Sequence, residues 1–164
     1  EVETITIYSL ARAADILADP SKYDPRSKET ADHSLPYVIA AAVAERQVTP
    51  VQFTDAKIMD PTIRAQIQKV KVIADPDIEA VFPELQRVRV VTNTTGGREF
   101  EKQLDYPKGD PRNPLTDDEI AGKFKALAEG IATPVNVDRM RAAVNRTEEF
   151  DDVRELMGEL VVKK

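Results

Sequence analysis

His33 is the chain's only histidine, and it is the residue best suited to proton transfer near neutral pH. Its neighbours in the sequence could work with it. Lys28 can bind a carboxylate, and Asp32 can orient the imidazole ring. Ser34 and Tyr37 add hydroxyl groups that can donate or accept hydrogen bonds. This set of side chains is suited to acid/base cleavage of C–H or C–O bonds.

The same segment also has an explanation that involves no catalysis. Asp32 or Ser34 could cap a helix that runs from Leu35 to Arg46, with His33 as a bystander at the cap. Pro36 would fit the first turn of that helix, where its missing N–H costs nothing. The residue types alone leave both interpretations open.

The elements around His33 must position it. Residues 35–43 are almost all apolar, so a helix there has no polar face and must be buried on most sides. Ahead of it, the alternation over Thr4–Tyr8 predicts a strand, and Leu10–Ala18 predicts a short helix that ends before Pro20. We expect a proline-bearing loop to carry the chain from there to His33.

The rest of the chain continues this mixed pattern. It predicts helices at 50–55, 61–70, 78–82, 116–130, 135–144 and 147–160, and strands at 70–74, 88–91 and 98–102. Gly96 and Gly97 predict a tight turn between the last two strands. We therefore predict one α+β domain over residues 1–164: a two-layer sandwich of a small, mainly antiparallel four-stranded sheet with helices packed on it.

Composition restricts the classes of function. The 164 residues carry a net charge of -6, with 41% hydrophobic and 32% charged residues, as in ordinary soluble domains. No basic run offers a track for phosphates, so we expect no nucleic-acid partner. No apolar run approaches the roughly 20 residues that cross a bilayer, so we expect no membrane contact and a cytoplasmic location. The lack of cysteine excludes disulfides and cysteine-held zinc or iron–sulfur groups, and we expect no metal or cofactor.

Two adjacent segments resemble the signature of the MmgE/PrpD family, which includes 2-methylcitrate dehydratases. They are residues 23–29, YDPRSKE, and residues 30–37, TADHSLPY. Further segments resemble the family in the same order along the chain: 50–54, 60–61, 69–72, 109–116 and 123–124. The resemblance therefore covers nearly the whole chain and is centred on His33.

This resemblance implies the architecture of a larger enzyme. Family members are much longer than this chain and have a large helical domain ahead of the matching segment. The chain is therefore expected to be the C-terminal lid domain of a two-domain enzyme, an α+β sandwich whose N-terminal helical partner is absent. We expect a homodimer for the full-length enzyme and no activity for the isolated fragment.

The resemblance also implies a lyase. A tricarboxylate such as 2-methylcitrate, an acid of propionate metabolism, loses water when a proton beside a carboxylate is removed and the leaving hydroxyl is protonated. His33 and Lys28 are expected to be catalytic without a metal, and Asp32 is expected to orient His33. Lys28 and Arg26 are expected to bind substrate carboxylates. The hydroxyl groups of Ser34 and Tyr37 are also expected to bind the substrate.

Other functions remain open for these residues. Decarboxylation of cis-aconitate, or epimerisation of a related acid, also moves a proton next to a carboxylate. A free-standing binding or assembly domain would keep the fold without catalysis. The joint presence of Lys28, Asp32 and His33 favours an enzyme, because a scaffold has no physical need for a cation and an imidazole around one loop.

Overall fold

The computed structural model describes residues 1–162 and contains two compact units, Glu1–Asn113 and Pro114–Lys164. The first unit combines a sheet with helices, and the second unit is helical. The predicted α+β class is confirmed. No helix within residues 1–162 is long and apolar enough to cross a membrane.

The first unit is built on one four-stranded sheet in the order β2–β1–β3–β4. Its strands are β1 (Val2–Ser9), β2 (Val70–Ala74), β3 (Val88–Thr94) and β4 (Glu99–Leu104). Strand β1 pairs in parallel with β2, placing Ile5 beside Val70, and antiparallel with β3, placing Ile7 beside Val90. Strands β3 and β4 form the predicted antiparallel hairpin. Gly97 lies in its turn with a φ of 75°.

The sheet is mixed, which corrects the prediction of a mainly antiparallel sheet. Most of its pairing is antiparallel, but β1 and β2 run in parallel. A parallel pair needs a long crossover, usually helical, and the chain between these two strands supplies one. The crossover contains the helices α1 (Ala11–Leu17), α2 (Lys28–Asp32), α3 (Leu35–Glu45), α4 (Asp55–Ile58) and α5 (Pro61–Ile67). Helix α6 (Pro76–Ala80) follows β2.

Helix α3 lies between two buried clusters. Leu35 and Ile39 pack against the sheet cluster of Ile5, Ile7 and Val70. The other side of α3 belongs to a helical cluster: Ala31, Tyr37, Ala40, Ala41, Ile58, Ile63 and Ile67. Within α3 only Val43 is exposed. The predicted burial of this apolar helix on most sides is therefore confirmed, since both its faces have apolar partners.

The second unit contains three α-helices in its described part: α7 (Asp117–Ala128), α8 (Pro134–Val144) and α9 (Val153–Glu159). Thr116 and Glu119 form a capping box at the start of α7. The continuous helix predicted over 147–160 is wrong. A 3-10 turn covers Thr147–Glu149, the chain extends at Phe150, and α9 starts only after Asp152, whose carboxylate accepts from the Arg154 N–H.

Candidate active site

Helix α2 carries Lys28 and Asp32, and His33 follows directly as its C-cap residue. The sequence predicted a loop over this segment, which is wrong for Lys28–Asp32. Ser27 Oγ accepts from the Thr30 N–H at 3.3 Å, and Thr30 Oγ1 accepts from the Ser27 N–H at 3.0 Å. This reciprocal capping satisfies main-chain donors that would otherwise favour a loop. A helix of five residues is too short to show an apolar repeat, so its periodicity could not reveal it.

Two contacts run side by side along α2. The Lys28 ammonium lies 2.6 Å from Asp32 Oδ2, and Nδ1 of His33 lies 3.0 Å from the main-chain carbonyl oxygen of Glu29. Both contacts join residues four apart, which face the same side of a helix. Asp32 therefore holds Lys28, while the contact that orients the His33 ring comes from the Glu29 carbonyl. Sequence reasoning missed this carbonyl, because every residue type carries one.

The Glu29 carbonyl determines how His33 can exchange protons. A carbonyl oxygen only accepts hydrogen bonds, so Nδ1 must carry the hydrogen when the ring is neutral. Nε2 is then the nitrogen with the available lone pair. His33 is exposed, and so is the Lys28 side chain, at 67% of its area. The turn therefore offers an accessible ammonium and an oriented imidazole to a ligand.

Arg26 directly precedes Ser27, the N-cap of α2, and its side chain is held by Asp24. Its Nε and Nη2 donate to Asp24 Oδ2 at 2.9 and 2.7 Å. Arg64, on α5, donates to the other oxygen of the same carboxylate. Hydrogen bonds from these two guanidinium groups hold the pKa of Asp24 below its usual value, and the bond from Arg64 has the larger effect. Sequence reasoning missed Arg64, because nothing near it in the sequence indicates that it reaches this segment.

Ser34 is buried and is the N-cap of α3. Of the two predicted cap candidates, Asp32 and Ser34, it is therefore Ser34 that caps this helix. Its hydroxyl accepts from the Tyr37 N–H at 3.0 Å and donates to the carbonyl of Lys22 at 2.5 Å. The second bond joins the two ends of the segment that carries α2. The Ser34 hydroxyl therefore fixes the base of this segment from inside the fold.

Tyr37 is also buried, at 0% exposure. Its hydroxyl donates to the Gln52 carbonyl at 2.5 Å, and its ring packs at a tilt against Phe53 with 5.8 Å between centroids. Burial raises the pKa of the Tyr37 phenol. Like Ser34, Tyr37 directs its hydroxyl to a main-chain carbonyl. The structure thus gathers Lys28, Asp32 and His33 on one exposed turn and places Ser34 and Tyr37 beneath it.

No group of three or more histidine, aspartate or glutamate side chains within residues 1–162 is arranged to hold a metal ion. The side chains on and beside α2 can support proton transfer at His33 and carboxylate binding at Lys28 and Arg26.

The sequence of this chain is similar to those of known proteins. Cis-aconitate decarboxylase of Mus musculus is 27% identical over 128 residues, which are 78% of this chain and 26% of that protein. Cis-aconitate decarboxylase of Homo sapiens matches with the same identity and coverage. The chain thus spans about a quarter of the length of these curated relatives. Residues 1–149 match the family model of the MmgE/PrpD C-terminal domain, and the chain therefore belongs to that family.

Proposed function

We propose that this chain is the C-terminal domain of a longer lyase that moves a proton next to a carboxylate of a tricarboxylic acid. The observation that carries the proposal is the pair of parallel contacts on α2. One of them holds the exposed ammonium of Lys28, and the other leaves Nε2 of His33 available. A ligand with several carboxylates matches this combination of a cation and an acid/base group.

Each residue has a distinct task in the proposed reaction. Lys28 and Arg26 bind carboxylates of the substrate by charge-assisted hydrogen bonds. His33 then exchanges a proton through Nε2. In a dehydration, a proton leaves the carbon beside a carboxylate, the C–O bond breaks, and the hydroxyl departs with a proton as water. Asp32 positions Lys28, and the buried Ser34 and Tyr37 hold the segment in place.

Two reactions fit these tasks. Dehydration of 2-methylcitrate or a similar tricarboxylate is the first candidate. Decarboxylation of cis-aconitate is the second, and the two relatives named for that activity favour it. In the second reaction the C–C bond to one carboxylate breaks, carbon dioxide leaves, and the carbon takes up a proton. Epimerisation of a related acid would use the same proton transfer without loss of a group.

We also propose that the site is completed by a helical domain of the same enzyme, which acts as a homodimer. The share of the relatives that this chain covers, about a quarter, supports a longer protein. The exposure of Lys28 and His33 is consistent with a second wall of the site from elsewhere. On this proposal the isolated 164 residues have no measurable turnover, and robust turnover by them would contradict it.

The test is product analysis on the full-length enzyme with 2-methylcitrate, cis-aconitate and a simple dicarboxylate. Loss of water or loss of carbon dioxide separates the two reactions. His33→Gln is expected to lower kcat by about a hundredfold or more, and Lys28→Met is expected to raise KM. Wild-type activity in His33→Gln would rule out the proposed chemistry. Binding of the acids without turnover would favour a binding domain instead.

A further inference from the structure

We propose that Arg64 is a positioning residue that sets the charge and orientation of Arg26 for substrate binding. The inference rests on the proposed function, in which Arg26 binds a substrate carboxylate. Arg64 does not belong to the segment that carries the site. It reaches that segment from α5, through the carboxylate of Asp24.

Helix α5 is a fixed base for Arg64. The Asp60 carboxylate caps this helix by accepting from the N–H groups of Thr62 and Ile63 at 2.7 and 3.3 Å. Ile63 and Ile67 are buried in the helical cluster beside α3. The Arg64 side chain itself is one quarter exposed, at 25%. Its backbone is therefore held by the core, while its guanidinium reaches the surface.

The guanidinium of Arg64 holds the site segment at two points. Its Nη2 donates to Asp24 Oδ1, and its Nη1 lies 3.4 Å from the carbonyl of Pro25. Asp24 gives its other oxygen, Oδ2, to Arg26. The carboxylate thus bridges two guanidinium groups with one oxygen for each. Without Arg64, the half-exposed Asp24 would be free to turn together with Arg26.

Arg64 also sets the charge that a substrate meets. The Asp24 carboxylate pairs with two guanidinium groups, those of Arg26 and Arg64. This cluster of three groups carries one net positive charge, and replacing Arg64 by a neutral residue removes it. Arg26 would then face only Asp24 in a neutral pair. An incoming carboxylate would be attracted less strongly, because the pair would already be neutralised.

The experiment measures kcat and KM of the full-length enzyme with the tricarboxylate it turns over. The variants are Arg64→Gln, Arg64→Lys, Arg26→Gln and the double variant with both glutamines. Arg64→Gln is expected to raise KM by about two- to fivefold, the upper part of the range for a partly exposed ion pair, with kcat changed less than about twofold. Arg64→Lys keeps the charge but loses the two-point fork, so its KM is expected to lie between those of the wild type and Arg64→Gln.

The double variant distinguishes positioning from an independent effect. If Arg64 acts through Arg26, replacing Arg64 raises KM by a smaller factor in the Arg26→Gln background than in the wild type. Multiplied effects on KM would overturn the inference, because they would mean that Arg64 acts without Arg26. A purely structural role would instead lower the unfolding temperature and kcat together, and this outcome would also overturn it.

Failure of the inference is distinguishable from failure of the proposed function. A raised KM in Arg26→Gln with an unchanged KM in Arg64→Gln overturns only the role of Arg64. An unchanged KM in Arg26→Gln overturns the substrate-binding role of Arg26 itself, and the inference with it.

Discussion

His33 illustrates how one main-chain contact determines the chemistry of a side chain. The Glu29 carbonyl accepts from Nδ1, so the contact selects one form of the neutral ring. We predict that His33 carries its hydrogen on Nδ1 at a pH where the ring is neutral. The ¹⁵N chemical shifts of the two ring nitrogens measure this directly. The urea-unfolded chain is the control, since it lacks the contact, and a folded protein with its hydrogen on Nε2 would contradict the prediction.

The buried hydroxyl of Tyr37 allows a second prediction for a single residue. Tyr37→Phe keeps the ring but leaves the buried Gln52 carbonyl without its donor. We expect the free energy of unfolding to fall by about 1–3 kcal/mol, measured by urea denaturation. Tyr8→Phe is the matched control. The Tyr8 ring is half-buried beneath Arg89, at 3.9 Å from its guanidinium carbon, and its change is expected to stay within about 0.5 kcal/mol.

Residue types predicted part of the candidate site. His33, Lys28 and Asp32 could be chosen from their chemistry and spacing, and the structure places all three on one turn. The roles of the Glu29 carbonyl and of Arg64 could not be predicted in the same way. A main-chain carbonyl has no signature in the sequence, and Arg64 meets Asp24 only through the packing of α5.

Helix α2 depends on its cap more than longer helices do, because nucleation is costly and a short helix has few internal bonds to offset it. Ser27→Ala removes one half of the capping box. We expect a loss of about 1 kcal/mol in unfolding free energy, together with a change in the His33 ring signals by NMR. Thr116→Ala removes the corresponding cap of α7 and is the matched control. This control is expected to lower the unfolding free energy by a similar amount while the His33 ring signals stay unchanged. A change of the His33 signals in the control would contradict a local effect of the α2 cap.

The end of helix α3 carries a pH-dependent contact. The Glu45 carboxylate accepts hydrogen bonds from Lys57 and from the buried Gln52. Both bonds lower the pKa of Glu45, and the bond from Lys57 has the larger effect. The same pairing raises the pKa of Lys57. Glu45 therefore stabilises the fold fully above the ordinary carboxyl pKa of 4.5, and this contribution is lost as the pH falls through the lowered value.

Glu45→Gln is the test of this contact. We expect the variant to lose less stability than the wild type when the pH is lowered from 4.5, because it has no carboxylate to protonate at this position. Urea unfolding at a series of pH values measures the difference between the two proteins. Glu84→Gln, which alters an exposed carboxylate, is the control and is expected to keep the wild-type slope. Parallel curves for Glu45→Gln and the wild type would refute the prediction.

Most elements of the sheet unit could be predicted from hydrophobic patterns, and the exceptions have physical causes. The apolar run of α3 and the alternation of β1 both reflect burial, which residue types report well. The direction of β2 relative to β1 depends on the path of the crossover, and a strand pattern does not encode that path. Helix α2 arises from capping rather than from periodicity.

At the scale of the whole molecule, the candidate site lies entirely within the unit Glu1–Asn113. We predict that a chain ending at Asn113 unfolds cooperatively and keeps the His33 ring signals of the 164-residue chain. A chain ending at Leu104 is the control. It lacks Asp105, whose carboxylate accepts from Arg87 at 2.7 and 3.1 Å, and it is expected to be less stable. Circular dichroism and NMR measure both properties, and a disordered 1–113 chain would contradict the prediction.

The parallel pairing of β1 with β2 has a consequence for how the site forms. Arg26, Lys28, His33 and Arg64 all lie in the crossover between these strands, which leaves β1 after Ser9 and enters β2 at Val70, the partner of Ile5. Closing this connection costs chain entropy before its contacts form, unlike the β3–β4 hairpin, which is local in sequence. The segment with the candidate site is therefore tied to long-range contacts, such as the pairing of Ile5 with Val70. During refolding, the His33–Glu29 contact is expected to appear with amide protection in β2, after the hairpin has formed.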